Sequence, residues 1–348
     1  MLRGMNNEIL NRWKRAIVHV EGATDQATLK ESIEAFRELC RRLEAGEITS
    51  EQWQAEAAET GRRELRSRGT AIFVIHEQRH YLVTARHVLW NERQARGVAD
   101  LFAPRGPTNP MMQHALSASM QEVFDNYIFG IIFLVSSYDE YLNQEVSEIP
   151  QWGDSLMNLG AGTRDSAPYT YSEPSIDLAV ISLDNRDRAV TARLLERGYV
   201  PIPSDLIGDE PTCEGAEVFT VGFPAVTSEV ARLLISPTVL RWRSETLSLP
   251  HSTYGRVSLL HPALPFFWAD LTIYPGNSGG PVIEGDRLVG IVSAQASIPV
   301  ELEGAAINGF SARVPLGKMI KAVGIRELLR QQEEKDRAWA ERRGEAWP

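Results

Sequence analysis

Thr70-Ala-Ile-Phe-Val-Ile-His76 and His80-Tyr-Leu-Val-Thr-Ala85 decide the fold class. Both are short and rich in β-branched and aromatic residues, the composition of strands. The same texture returns in FGIIFLVS (129–136), DLAVISL (177–183), AEVFTVGFP (216–224), TVLRWRSETLSL (238–249) and RLVGIVSA (287–294), with Gly, Pro, Asn and Asp between them. Many short strands with turn signals predict an antiparallel sandwich or a pair of barrels. Strands do not alternate with helices here, which argues against a doubly wound parallel sheet.

The flanks read differently. Residues 1–66 read as helical: Leu29, Ile33, Phe36, Leu39, Cys40 and Leu43 recur at three- and four-residue spacing and form an apolar stripe. Thr28 with Glu31, and Thr49 with Gln52, fit the capping box of a helix start. A charged, glycine-bounded stretch at 61–69 marks the boundary to the β region. Residues 104–166 are the least regular and read as an insertion holding one apolar strand. From Pro315 the pattern is helical again, with Leu316, Ile320, Val323 and Leu328 on one face, and 324–348 form a charged tail with two tryptophans. The expected units are therefore 1–66, 67–323 and 324–348.

The chain has 348 residues, 43% hydrophobic and 24% charged, which excludes collagenous, low-complexity and largely disordered classes. Its formal net charge of -10 repels phosphate backbones, so nucleic acid is not the expected partner. The longest apolar run, Tyr127 to Val135, is less than half of the ~20 residues a membrane helix needs. No signal peptide is legible at the N-terminus. Only Cys40 and Cys213 occur, in separate segments, so no structural disulfide is expected and the cytoplasm is the expected compartment. His19, His76, His80, His114, His251 and His261 lack metal-ligand spacing, and neither metal nor organic cofactor is expected.

Three motifs carry chemistry, in this order: Thr84-Ala-Arg-His87-Val after an apolar strand, Ser175-Ile-Asp177-Leu-Ala-Val opening another, and Pro275-Gly-Asn-Ser278-Gly-Gly-Pro-Val. A serine hydroxyl is a weak nucleophile at neutral pH and needs a base. A histidine can take its proton and return it to a leaving amine. A buried carboxylate on the other ring nitrogen fixes the tautomer and stabilises the imidazolium. Glycines beside the serine let backbone N–H groups face a developing oxyanion.

These motifs resemble those of the trypsin/chymotrypsin-like serine proteases, and most of all the high-temperature-requirement type. The resemblance runs from about Gly69 to Val323, with further echoes at Val221-Gly-Phe-Pro224, Gly290-Ile-Val-Ser293 and Phe310-Ser-Ala-Arg-Val-Pro315. It implies two antiparallel six-stranded β-barrels flanked by an N-terminal helical segment and a C-terminal helix. His87 and Asp177 would come from the first barrel and Ser278 from the second. It implies a serine endopeptidase working through an acyl-enzyme: His87 as base, Asp177 as its orienting carboxylate, Ser278 as nucleophile, and the N–H groups of Gly276 and Ser278 as oxyanion hole. Asn277 stands where zymogen-type relatives carry an aspartate, so activation by a newly cut N-terminus is not expected.

The chain departs from the family in places. Ninety positions separate His87 from Asp177, consistent with the insertion, Tyr274 replaces a small polar residue, and only 25 residues follow Val323, too few for an appended peptide-binding domain. The resemblance puts Thr272 at the base of the specificity pocket, with Ser293, Gln295 and Gly309 in its walls. With no charge at the base, cleavage after small or medium uncharged residues is expected. The rival reading is a catalytically silent protease fold that binds proteins or peptides. The N-terminal helices are candidates for a regulatory partner or self-association, and the expected partner otherwise is a protein or peptide substrate, not a membrane.

Overall fold

The computed structural model describes residues 7–23, 38–61, 66–90, 131–135, 156–159, 167–184, 188–225, 249–302 and 305–344. Two β units dominate. The first is an eight-stranded sheet built on β1 (Ile17–Ala23), β2 (Arg66–His76), β3 (Arg79–Ala85), β4 (Ile131–Val135), β5 (Leu156–Asn158), β6 (Tyr169–Tyr171) and β7 (Leu178–Ser182). Its order is β5-β4-β1-β2-β3-β7-β6, and the two-residue β8 (Ile202–Pro203) joins β2 in parallel. The second is a closed six-stranded barrel of β9 (Glu217–Gly222), β10 (His251–Leu260), β11 (Phe266–Ala269), β12 (Pro281–Glu284), β13 (Arg287–Leu302) and β14 (Ala305–Lys321). The mostly β plan with a closed six-stranded barrel and helices at both ends agrees with expectation; in place of the other expected six-stranded barrel stands the eight-stranded sheet.

The quoted strands β2 and β3 form a hairpin across Glu77 (φ 45) and Gln78 (φ 65). Two consecutive positive φ values are the signature of the mirror-image turn that matches strand twist, here without its usual Asn-Gly. Alternate residues serve two cores. Ile72, Val74, Tyr81, Val83 and Val180 pack towards the barrel and the C-terminal helix. Phe73, Leu82, Ala179 and Ile181 pack on the opposite face with Val88, Val190 and Leu194. Burial on both faces explains why these strands read as continuous apolar runs.

The helical reading of residues 1–66 is corrected at its centre. Helix α1 (Asn7–Ala16) is followed directly by strand β1, which lies between β2 and β4. Ile17-Val-His-Val alternates in the way a strand requires. This extra strand, with β4 and β5 from the expected insertion, takes the first sheet past the six strands anticipated. Trp13, Ala16, Ile17, Val18 and Val20 are buried, so this segment is part of the core. Further on, residues 38–44 are helical and α2 (Ser50–Gly61) follows. Its capping box is formed: Gln52 N donates to Thr49 Oγ1 at 3.2 Å and Thr49 N donates to Gln52 Oε1 at 2.9 Å. Leu39, Ile48 and Trp53 make a small separate core there, while Thr28, Leu29, Glu31, Ile33 and Phe36 lie outside the described residues.

The expected helix from Pro315 also starts later. Leu316 and Ile320 belong to β14, and the helix (Val323–Arg343) begins beyond it. Pairing of Ile320 with Ile291 and Phe266 in a closed barrel outweighs the local helical spacing. The C-terminal helix buries Ile325, Leu328 and Leu329 on the first sheet and sends a buried Gln332 to Thr170 Oγ1 (2.8 Å) and Ala167 O (3.2 Å). Cys40 and Cys213 are free thiols.

Candidate active site

Sheet register brings His87 and Asp177 together across ninety positions. Strand β3 pairs with β7 so that Ala85 faces Leu178. The chain then turns into α3 (Arg86–Leu89), a single helical turn that carries His87. Arg86 N donates to Asp177 O at 3.1 Å, which locks the start of that turn against the start of β7.

Asp177 sits at φ 51, in the left-handed region. Few non-glycine residues adopt it, and aspartate is among the most tolerant. The conformation closes a tight turn in which Asp177 N donates to Glu173 O (3.1 Å), while Leu178 N donates to Ser172 Oγ (2.9 Å). It presents both carboxylate oxygens to His87: Oδ1 accepts the His87 backbone N–H at 2.9 Å and Oδ2 lies 2.8 Å from Nδ1. A carboxylate acceptor at Nδ1 requires the proton there, which leaves Nε2 of a neutral ring as an acceptor. Burial raises the Asp177 carboxyl. The His87 ring and its charge, the Ser293 hydroxyl and the His87 amide outweigh it and hold the group below the usual carboxylate range.

Ser293, expected in the pocket wall, also touches the carboxylate. Its hydroxyl donates to Asp177 Oδ2 at 2.5 Å, so it supports the carboxylate. Its carbonyl accepts Ser278 Oγ at 3.5 Å. Among the described residues, Ser278 makes no hydrogen bond to His87.

The nucleophile loop is shaped by glycines that nothing else could replace. Gly276 has φ +97, and a Cβ there would stand 2.2 Å from Phe223 O. Gly279 has φ +83, and its Cβ would stand 2.1 Å from Thr70 O. Each carbonyl along the loop is held. Ala225 N donates to Pro275 O (2.7 Å), Thr70 Oγ1 to Gly276 O (2.8 Å), Gly280 N to Asn277 O (2.8 Å) and Thr70 N to Ser278 O (2.8 Å). Asn277 N donates to Tyr274 O and Gly279 N to Val292 O. Two N–H groups, those of Gly276 and Ser278, bond to nothing among the described residues. They are the pair for which the resemblance implies an oxyanion hole. Asn277 is 1% exposed, and its side-chain amide has no partner among the described residues.

The pocket residues are less convergent. Thr272 is exposed just before the loop. Gln295 bridges the two wall strands by donating Nε2 to Val314 O at 3.0 Å. Gln295 lies opposite Gly317. Gly309 lies further along β14, past Ser311, which pairs with Pro299. Thr70 and Ala225 were not singled out from sequence, and Thr84 entered only as part of the histidine motif; a threonine after a glycine within a strand carries no distinctive signal.

Residues 133–291 match the family of the trypsin-like peptidase domain. The matched stretch is under half of the chain and contains Asp177 and Ser278, with His87 before it. The match supports a trypsin-like peptidase. Among solved structures, the chain is similar to a Glu endopeptidase in complex with MPD, at 13% identity and a TM-score of 0.40, covering 76% of this chain and 84% of that one.

Proposed function

We propose that this chain is a serine endopeptidase that cleaves peptide bonds through an acyl-enzyme. The observation that carries the reading is the joint arrangement of His87, Asp177 and the Ser278 loop. A histidine whose Nδ1 faces a buried carboxylate lies on the first unit, and the serine on the second sits in a loop with two N–H groups unbonded among the described residues. His87 takes the Ser278 proton through Nε2, and Asp177 keeps the ring in that tautomer. The N–H groups of Gly276 and Ser278 receive the charge of the tetrahedral oxygen. Rotation of the Ser278 hydroxyl from Ser293 O towards His87 would complete the attack geometry, since hydrogen bonds of this kind often tighten only with substrate bound.

The resemblance to the high-temperature-requirement type belongs to this reading, as does a substrate class of peptides with small or medium uncharged residues before the cut. Thr272 offers no charge, and Gln295 tied to Val314 narrows the wall. A pocket that sorts by size discriminates by about 1–3 kcal/mol per methylene-scale difference, so selectivity is modest.

A peptide library tests it. Wild-type enzyme cleaves after Ala, Val, Leu or Thr, and Ser278→Ala and His87→Ala do not. Full cleavage by either variant removes the mechanism, and a strict preference for Arg, Lys, Asp or Glu removes the pocket assignment. The silent-module reading draws on the Ser278 hydroxyl pointing to Ser293 O; it requires peptide binding with no turnover in the wild-type chain.

A further inference from the structure

Thr70 makes four hydrogen bonds from its three polar atoms, and each reaches a different part of the site. Its N donates to Ser278 O (2.8 Å), and Oγ1 donates to Gly276 O (2.8 Å) and accepts Phe223 N (3.1 Å). Its O accepts Thr84 Oγ1 (2.7 Å). The residue is fully buried. Thr84 lies in β3, which runs on to His87, and Phe223 follows β9 in the barrel.

A peptide unit is planar, so fixing its carbonyl fixes the N–H on its far side. The Pro275–Gly276 unit is fixed by Ala225, which turns the Gly276 N–H the opposite way. The next unit, Gly276–Asn277, is fixed at its carbonyl by the Thr70 hydroxyl. Gly276 is the hinge between the two, and glycine can cross φ regions that other residues cannot. With both units held, the hinge has one setting. The far end of that second unit is held by Asn277 N donating to Tyr274 O, so the Thr70 hydroxyl is one of its two restraints; without it the unit can tilt and shift the Gly276 and Ser278 N–H groups on either side of it. β-Branching fixes the Thr70 side chain in turn, because it restricts χ1.

We propose that Thr70 is a positioning residue for the oxyanion hole, acting through its hydroxyl on Gly276, with Thr84 holding Thr70 in place from the strand that leads to His87. The inference rests on the peptidase reading above.

The test uses the full chain, wild type and Thr70→Val, Thr70→Ser and Thr84→Val. It measures kcat and KM on a cleaved peptide, inhibition by the matching peptide aldehyde, whose adduct places an oxyanion in the hole, and thermal melting. Losing one oxyanion donor costs ~10²–10³ in kcat in a comparable enzyme, so misaiming one predicts a fall of about 10- to 100-fold for Thr70→Val. KM should stay within about twofold, since ground-state binding does not use the hole, and aldehyde affinity should fall with kcat. Thr70→Ser keeps the hydroxyl and should stay within about threefold of wild type. A folded Thr70→Val with wild-type kcat overturns the proposal, as does Thr70→Ser as impaired as Thr70→Val. If Thr70→Val does not fold, Thr84→Val decides: a lower kcat at unchanged KM supports the proposal, and wild-type kcat overturns it. A wild-type chain that neither cleaves peptides nor reacts with a fluorophosphonate fails the peptidase reading before any variant is compared.

Discussion

Ser293 Oγ stands 2.5 Å from Asp177 Oδ2, the same oxygen that faces His87 Nδ1 at 2.8 Å. One carboxylate oxygen thus serves a hydroxyl from the barrel and an imidazole from the sheet. Hydrogen bonds to charged groups contribute about 1.5–3 kcal/mol each. Ser293→Ala should therefore lower kcat by about tenfold or more and leave the ranking of peptide substrates unchanged. A changed ranking with unchanged kcat on the best peptide would make Ser293 a residue of the pocket wall alone.

Asp177 combines a catalytic position with a left-handed backbone. Asp177→Asn keeps the shape and tolerates φ 51, so the fold should hold while kcat falls by about 10⁴ through the wrong histidine tautomer. Asp177→Ala loses that tolerance and should melt lower than Asp177→Asn, by about 1 kcal/mol. Equal melting of the two variants would mean that the turn bears no strain.

His19 is wholly buried in β1, stacked on Phe223 at 5.2 Å between ring centroids. Burial lowers its pKa from 6.5 to about 4; the Glu21 charge opposes this and Arg68 adds to it. Between those two values the unfolded chain binds more protons than the folded one. Stability should thus fall as pH drops from 6.5 towards 4, by about 3 kcal/mol from this group. His19→Phe should remove that slope in denaturant titrations over this range. An unchanged slope would assign acid sensitivity to other groups.

Truncation tests the corrected N-terminus. Removing residues 1–23 deletes a strand between β2 and β4 and the buried Trp13 and Ile17. Loss of a buried tryptophan alone costs about 3–5 kcal/mol, against a typical total of about 5–15. The truncated chain should fail to give a cooperative melt; a stable, active truncated chain would make α1 and β1 an appendage.

The strands β2, β3 and β7 were legible because both of their faces are buried, leaving unbroken apolar runs. His87, Asp177 and Ser278 were legible as types in order; that Ala85 faces Leu178 was not, because register depends on partners far along the chain. Strand β1 was hidden within a stretch whose sequence reads as helical, and Leu316 and Ile320 have a spacing that suits a helix until the barrel claims them. Gly276 and Gly279 were legible as glycines, but the carbonyls that forbid a side chain there come from Phe223 and Thr70. The register of the β13–β14 hairpin was not legible either, because it shifts at bulges that have no sequence signature.

The central claim is that Ser278 is an activated nucleophile. Treating the full chain with a fluorophosphonate and mapping the adduct by peptide mass spectrometry tests it most directly. The account predicts one adduct per chain, on Ser278, forming slowly or not at all in His87→Ala and absent from Ser278→Ala. A folded wild-type chain that carries no adduct, or carries it on Ser293 instead, would contradict it.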